Sequence, residues 1–510
     1  LKLGSGLAIS VRRSARRPPC SMAHRSASEC SHDDGVGPRY TSENRAFRDF
    51  SSASQASIPP SVAWGVNRSY RRNSQRPSQD QISDPGSRKS KAPVSYVKRN
   101  MAGMQSILIH PFSILSVAFP LGILSACLDW GPNATFWLNF CALIPLAKIL
   151  GDATEELDAC LHNEVVSGLL NATFGNAVEV IMTVQTLRAG LTSLVKETLL
   201  GSVLSNMLLV LGMSFLFGGI VEMGDGVKAK VSLTENAAEP LLGRADSYFK
   251  LVTEKQQVFV SNSAMVSVTM LLVSCLSFTL PTIFIGQALT EREEVVQISL
   301  VSAGVVMLSY VAYLWFQLYT HKRMLQAADG DADSQGEEEN EEEEDGLTFG
   351  FSLGLLAGTA VLVAVSSQLL VDVIEPVVDH AGISEAFIGI ILLPIVGNAC
   401  EHAAAVRFAV KNRPGLSVSI AVGSSVQIAL FVVPLSVVMG WFLCPPGVDM
   451  TLNFGIMHVS VLIISVLVVL SIVVDGSATW LEGYMLCSAY VLIAVMYWHV
   501  KDSQLLGTEL

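Results

Sequence analysis

Apolar positions along this chain neither alternate nor form stripes. From about residue 106 they come in blocks of roughly 18–25 residues, each long enough to cross the hydrocarbon core of a bilayer. Eleven blocks can be drawn, at about 107–128, 134–152, 166–189, 198–220, 263–285, 296–320, 350–374, 384–411, 416–442, 453–474 and 478–499. In lipid only helices or closed barrels satisfy their own backbone groups, and strict alternation is absent, so each block predicts a helix. The pattern is that of an all-α polytopic membrane protein. Its third and eighth blocks are the least apolar, which directs attention to their polar residues.

Composition agrees with this picture and adds a division. Half of the 510 residues are hydrophobic and only 15% are charged, against about 25% charged in an average soluble domain. The net charge of −12 is uneven, because residues 1–100 hold 18 Lys and Arg against 7 Asp and Glu. A basic, Ser/Arg-rich arm (1–105) too poor in apolar residues to fold alone therefore precedes an acidic, apolar body. Such an arm reads either as an organelle transit peptide or as a cytosolic tail. The nine cysteines show no metal-binding or disulfide spacing. Loops on the even-numbered side hold eleven basic residues against four on the other side. The positive-inside rule then places the N-terminus in the cytosol and, after eleven spans, the C-terminal tail (504–510) in the lumen. The segment 326–349 contains eleven acids between Asp329 and Asp345. It reads as a solvated cytosolic loop, or as a loose cation collector without EF-hand spacing.

Self-comparison is the most informative step. Gly175-Asn176-Ala177-Val178-Glu179 recurs as Gly397-Asn398-Ala399-Cys400-Glu401, at an offset of 222, and at the same offset Gly201-Ser202 recurs as Gly423-Ser424. Five spans separate the copies. An odd number turns the second copy upside down, the signature of inverted-repeat transporters whose site lies at the midplane.

The repeated residues suit a cation. Asn176 and Glu179 stand at i and i+3, as do Asn398 and Glu401, so each pair is expected on one helix face. A carboxylate near the bilayer centre costs roughly 3 kcal/mol on insertion and needs a partner or a task. Inversion brings Glu179 and Glu401 together as an oxygen-rich, doubly negative pair. Hard Ca2+ prefers six to eight oxygens, and Mn2+ also fits an oxygen site. Gly175 and Gly397 are expected to permit irregular turns, and Pro394 to free a backbone carbonyl. Asn176, Asn398, Ser202, Ser424 and Gln427 are placed to complete the coordination shell. Two close carboxylates cannot both stay ionised cheaply without the cation, so protons and metal compete for one site. No Ser/His/Asp set, HExxH or P-loop is present, which leaves enzyme and ATP-driven pump readings without support.

At these residues the sequence resembles the cation/proton exchanger family of vacuolar Ca2+/H+ antiporters, within the Ca2+/cation antiporter superfamily. The resemblance rests on GNAVEVIMTVQTLRAG with LLGSVLSNMLLVLG, on GNACEHAAAVRFAVKN with IAVGSSVQIALFVVP, and on ATEEL at 153–157. It implies an extra first helix (106–133), one five-helix repeat (134–325), a second, inverted repeat (350–503), and exchange of Ca2+ for H+ across a vacuolar or other acidic-organelle membrane. Ca2+ and H+ are then substrates, no cofactor is permanently bound, the bilayer is the partner, and no nucleic acid is involved. It also implies gating roles near Glu155 and Glu156 in the second span and Gln368 and Asp372 in the seventh, where Gln368 stands in place of the acid usual in the family. His402, after Glu401, is either a packing or a proton-tuning residue. A Na+- or K+-coupled exchanger of the same architecture is the alternative, and a cation channel a remote one.

Overall fold

The structure, a computed structural model, describes residues 96–108, 111–161, 166, 170–171, 173–220, 255–286, 292–321 and 347–500. The basic arm through residue 95, the acidic run 329–345 and the C-terminal tail fall outside these. Helix α1 (Tyr96–Leu108) and a 3-10 turn lead to α2 (Ala118–Cys127). Then come α3 (Pro132–Ala159), α4 (Ala177–Ala189) and α5 (Thr192–Ile220). Strand β1 (Gln257–Val258) precedes α6 (Ser261–Gly286) and α7 (Glu293–Thr320). The second half holds α8 (Phe349–Val371), α9 (Ile374–Ala381), α10 (Glu385–Gly397), α11 (Ala399–Val410) and α12 (Pro414–Leu443). It ends with α13 (Ile456–Val473), β2 (Ser477–Ala478) and α14 (Trp480–His499).

Among the described residues, eight helices are long and apolar enough to cross a membrane, and the pair α10–α11, bent by 58°, makes a ninth span. The block expected at 107–128 is a shorter apolar helix, Ser113–Cys127. The block at 166–189 contains α4, with part of its earlier half outside the described residues. Helix α1 starts inside the segment read as arm. Its buried residues Asn100, Gly103 and Ile107 recur at helical spacing, and Asn100 Oδ1 accepts from Thr348 N at 3.0 Å, just before α8. A polar anchor of this kind leaves no apolar signal.

Helix α7 shows what the outer surface meets. Ser299, Ala303, Val306 and Tyr310 are buried on one side, while Val301, Val305, Leu308 and Val311 are 60–69% exposed on the other. A helix apolar on both sides, packed on one, is built for lipid on the other.

Two apolar cores lie inside. One joins α3, α4, α8 and α9 with Leu194 of α5 and Ile388, Leu393 and Val396 of α10; the other joins α5, α6, α7, α12, α13 and α14 with Ala386, Ile390 and Ile391 of α10. Helices α3 and α8 make the most extensive helix pair. They run antiparallel, because the end of α3 meets the start of α8: Glu156 Oε2 accepts from Leu347 N at 2.8 Å, and Cys160 Sγ lies 3.3 Å from Leu347 O. Equivalent helices that meet end to start are what an inverted repeat requires. Irregular backbone recurs in register as well. π-helical stretches cover Ser205–Val210 in α5 and Ile428–Val432 in α12, within one residue of the 222 offset.

Candidate functional site

Both motif copies sit where helices begin. Asn176 is the residue before α4 (φ −108°, ψ 28°), and Asn398 the residue before α11 (φ −88°, ψ 18°). The asparagines are therefore outside the helix bodies, and the expected shared face of Asn and Glu is replaced by a break. Glu179 and Glu401 fall in the first turns of α4 and α11, where unpaired backbone N–H groups and the helix dipole favour negative charge. Neither Gly175 nor Gly397 takes a left-handed conformation. Gly397 instead makes room, since a methyl group added there would stand 2.9 Å from Glu179 Oε1.

The asparagine side chains cross to the opposite half. Ser202 Oγ lies 2.9 Å from Asn398 Oδ1, and Asn398 Nδ2 donates to Ser202 O at 3.1 Å. In the mirrored arrangement Ser424 Oγ lies 3.5 Å from Asn176 Oδ1. Applying the 222 offset to one pair yields the other, reversed, as a pseudo-two-fold axis demands. Asn176 Nδ2 also donates to Gln427 Oε1 at 2.7 Å. All seven motif and shell positions (Gly175, Asn176, Ser202, Gly397, Asn398, Ser424 and Gln427) thus lie at or beside one junction, with Glu179 and Glu401 within electrostatic reach of each other.

The two carboxylates differ in setting. Glu179 is 3% exposed and lies 3.3 Å from Ser202 Oγ. Glu401 is half-buried, and its Oε2 is enclosed with no hydrogen-bond partner among the described residues. Glu401 also feels the charge of Glu155, an exposed residue near the end of α3 with Arg407 of α11 close by. Glu401 is thus the carboxylate nearer the end of α3 in electrostatic terms.

The outlying candidates separate into different tasks. Glu155 lies among the charges of Asp152, Arg407 and Lys148, whereas Glu156 is tied to Leu347 N and fastens α3 to α8. Gln368 and Asp372, at the far end of α8, bond each other, Nε2 to Oδ1, at 2.6 Å. His402 Nδ1 donates to Asn398 O at 2.6 Å, so it braces the break beside the carboxylate.

A profile of the family described as "Sodium/calcium exchanger protein" matches residues 133–319 and 351–498. The chain belongs to this sodium/calcium exchanger family. Among curated members, "Vacuolar cation/proton exchanger 3" of Arabidopsis thaliana is 35% identical over 414 residues, covering 80% of this chain and 83% of that protein. "Ca(2+)/H(+) antiporter" of Aphanothece halophytica is 35% identical over 389 residues, covering 75% and 95%. The solved structure of native YfkE superposes with a TM-score of 0.59 at 30% identity, covering 76% of this chain and all of that one.

One residue of this exchanger-family site escaped the sequence reading. Asn206 is fully buried on α5, one turn after Ser202, and its Nδ2 donates to Ser424 Oγ at 3.0 Å, while its Oδ1 has no partner among the described residues. Its repeat counterpart is Ile428, so self-comparison passed over it; its i+4 spacing from Ser202 was the available signal.

Proposed function

We propose that the protein is a secondary-active antiporter exchanging Ca2+ for H+, with Glu179 and Glu401 as the shared binding carboxylates. The supporting observation is the reciprocal pairing of Ser202 with Asn398 and of Ser424 with Asn176 around those two acids. The donor set is all oxygen apart from His402: two carboxylates, the amide oxygens of Asn176, Asn398 and Gln427, and two hydroxyls. That is the chemistry of a hard divalent cation, Ca2+ first and Mn2+ second.

The coupling follows from charge. One Ca2+, or protons on both carboxylates, leaves the pair neutral. The bare pair carries two negative charges in a low-dielectric region, at a cost of several kcal/mol. Only loaded forms then rearrange readily, so movement of one substrate requires return of the other. Glu401 receives the ion from the mouth beside Glu155, and closing that mouth while opening the other carries the ion past the junction of α4, α5, α10 and α11.

The relatives' names, a vacuolar cation/proton exchanger and a Ca2+/H+ antiporter, favour protons as the coupling ion and an acidic organelle as the location. The charge bias of the loops supports a cytosolic position for the mouth beside Glu155. The test is 45Ca uptake by reconstituted vesicles under an imposed pH gradient, with and without Na+. Uptake is expected to follow the pH gradient and ignore Na+; uptake that follows only a Na+ gradient would refute the proton assignment.

A further inference from the structure

A second titratable cluster lies in the bundle, away from the central pair. Glu197 of α5 is 8% exposed, five residues before Ser202 and so about 7.5 Å along the helix from it. It lines a small pocket with Ser193, Lys196 and Leu200 of the same helix, and with Phe454 and His458 at the start of α13. His458 is also 8% exposed, and its Nδ1 donates to Phe454 O at 2.8 Å. That bond places the ring proton on Nδ1 and leaves Nε2 as the basic nitrogen. The ring of Tyr497, fully buried, stacks on His458 at 5.5 Å and 5°, and its phenol is within electrostatic reach of Glu197.

The location is what gives the cluster a task. Helix α11 ends at the mouth beside Glu155, so the start of α10, the first turns of α5 and the end of α14 lie at the opposite face. The Glu197 carboxylate packs on Gly389, where an added Cβ would stand 2.7 Å from Glu197 Cβ and 2.9 Å from Oε2. Gly389 belongs to a π-helical stretch, Ile388–Leu392, that runs into Pro394, Gly397 and Asn398. One turn further along α5, Gly201 abuts the backbone of Ile390 in the same stretch. A displacement of α10 against α5 would run across the Glu197 contact.

The central site does not require this acid, for its repeat counterpart is Ser419, an exposed residue. Among the elements packed against α5, α4 carries Glu179 and Arg188, α10 carries Glu385, α11 carries Cys400, Glu401, His402 and Arg407, α12 carries no titratable group, α13 carries His458, and α14 carries Glu482, Tyr484, Cys487, Tyr490, Tyr497 and His499. Of these only His458 shares the pocket with Glu197 and Lys196.

Resting on the antiporter reading above, we propose that Glu197 and His458 form a second proton-binding site, whose occupancy sets how readily the central pair exchanges ions with the face opposite the Glu155 mouth. Taking one proton from that face turns the pair of carboxylate and neutral imidazole into a neutral or internally compensated pair. With Lys196 in the same pocket, each proton taken up makes the cluster beside the α5–α10 contact one unit more positive. A fastening role alone would leave the pH response of transport unchanged.

The test uses the full chain, reconstituted in one orientation, with pH varied independently on each side and 45Ca flux measured. Glu197→Gln and His458→Gln keep the side-chain volume near wild type, and Glu197→Asp keeps the charge but retracts it by one methylene. The unaltered protein is expected to show a step in the histidine range, about pH 5–8, for the face opposite Glu155. Both Gln variants are expected to lose that step and Glu197→Asp to shift it, with the profile on the Glu155 face and maximal Ca2+ flux unchanged. Unaltered profiles on both faces in any variant that accumulates would overturn the second site while leaving the antiporter intact. If the unaltered protein shows no pH-driven flux, the antiporter reading falls, and this proposal with it.

Discussion

The two motif copies are chemically the same and structurally unequal. In the first, Glu179 is buried, lies against Ser202 and fits beside Gly397. In the second, Glu401 is half-buried, has a carboxylate oxygen without a hydrogen-bond partner among the described residues and follows a 58° bend at Asn398. Part of this inequality belongs to the state of the transporter, because a site open to one face must treat its two halves differently. Part is written in the residues. Pro394, His402, Asn206 and Gln427 correspond at the 222 offset to Ala172, Val180, Ile428 and Ser205, so the halves cannot simply exchange conformations. The inverted repeat supplies the two ends of the path; the unduplicated residues make those ends differ.

The largest effect expected is loss of either carboxylate. Glu179→Gln and Glu401→Gln each leave Ca2+ with a single carboxylate, so the loaded site keeps a net positive charge in a low-dielectric region, a change of several kcal/mol. Initial 45Ca uptake should fall by at least about 100-fold in both. If the halves had separable tasks, one variant would keep most of its flux.

Gly397→Ala probes the comparison more directly. Its methyl would stand 2.9 Å from Glu179 Oε1, and overpacking of this kind costs about 1–3 kcal/mol. Ca2+ affinity from the concentration dependence of uptake should weaken by about 10-fold. At the twin position, Gly175, the nearest atoms to an added methyl would instead be those of Asn171 in its own turn. An effect of Gly397→Ala on folding alone, with normal affinity in the protein that accumulates, would remove the contact from the account of the site.

Asn206→Leu removes a polar group that only the first half has. It takes away the bond to Ser424, a loss of about 1 kcal/mol, and the half-saturating Ca2+ concentration should rise about 5-fold. Asn206 also marks the limit of what the sequence disclosed. Residues with a twin at the fixed offset were legible, and so were the spans, because lipid demands long apolar blocks. Residues without a twin were not: Asn206, Glu197 and His458 each look like an isolated polar residue in an apolar helix, and only packing reveals their neighbours. The break at Asn176 and Asn398 was hidden for another reason. Spacing of three residues is helical, and nothing in the sequence says that the helix begins between the two positions. The Asn100 bond to Thr348 was equally silent, since one buried amide at the end of a polar arm carries no periodicity.

The smallest effect expected concerns the gating helices, where the halves also differ. Glu155 of α3 is exposed among the charges of Asp152, Arg407 and Lys148, whereas Gln368 of α8 donates to Asp372. Gln368→Glu converts that bond into two carboxylates at i and i+4, which repel by a few tenths of a kcal/mol on an exposed helix face. The same change adds a negative charge to the far mouth and raises the local cation concentration, an effect screened by salt over about 10 Å at 0.1 M. The two influences act on different quantities, since repulsion loosens the end of α8 while the field changes the rate at which cations arrive. Flux from that face should therefore rise by about 2-fold at low ionic strength and return to the wild-type value in high salt. A rise that persists in high salt would mean that the Gln368–Asp372 bond itself holds the far mouth closed, and the difference between α3 and α8 would then be one of gating rather than of charge.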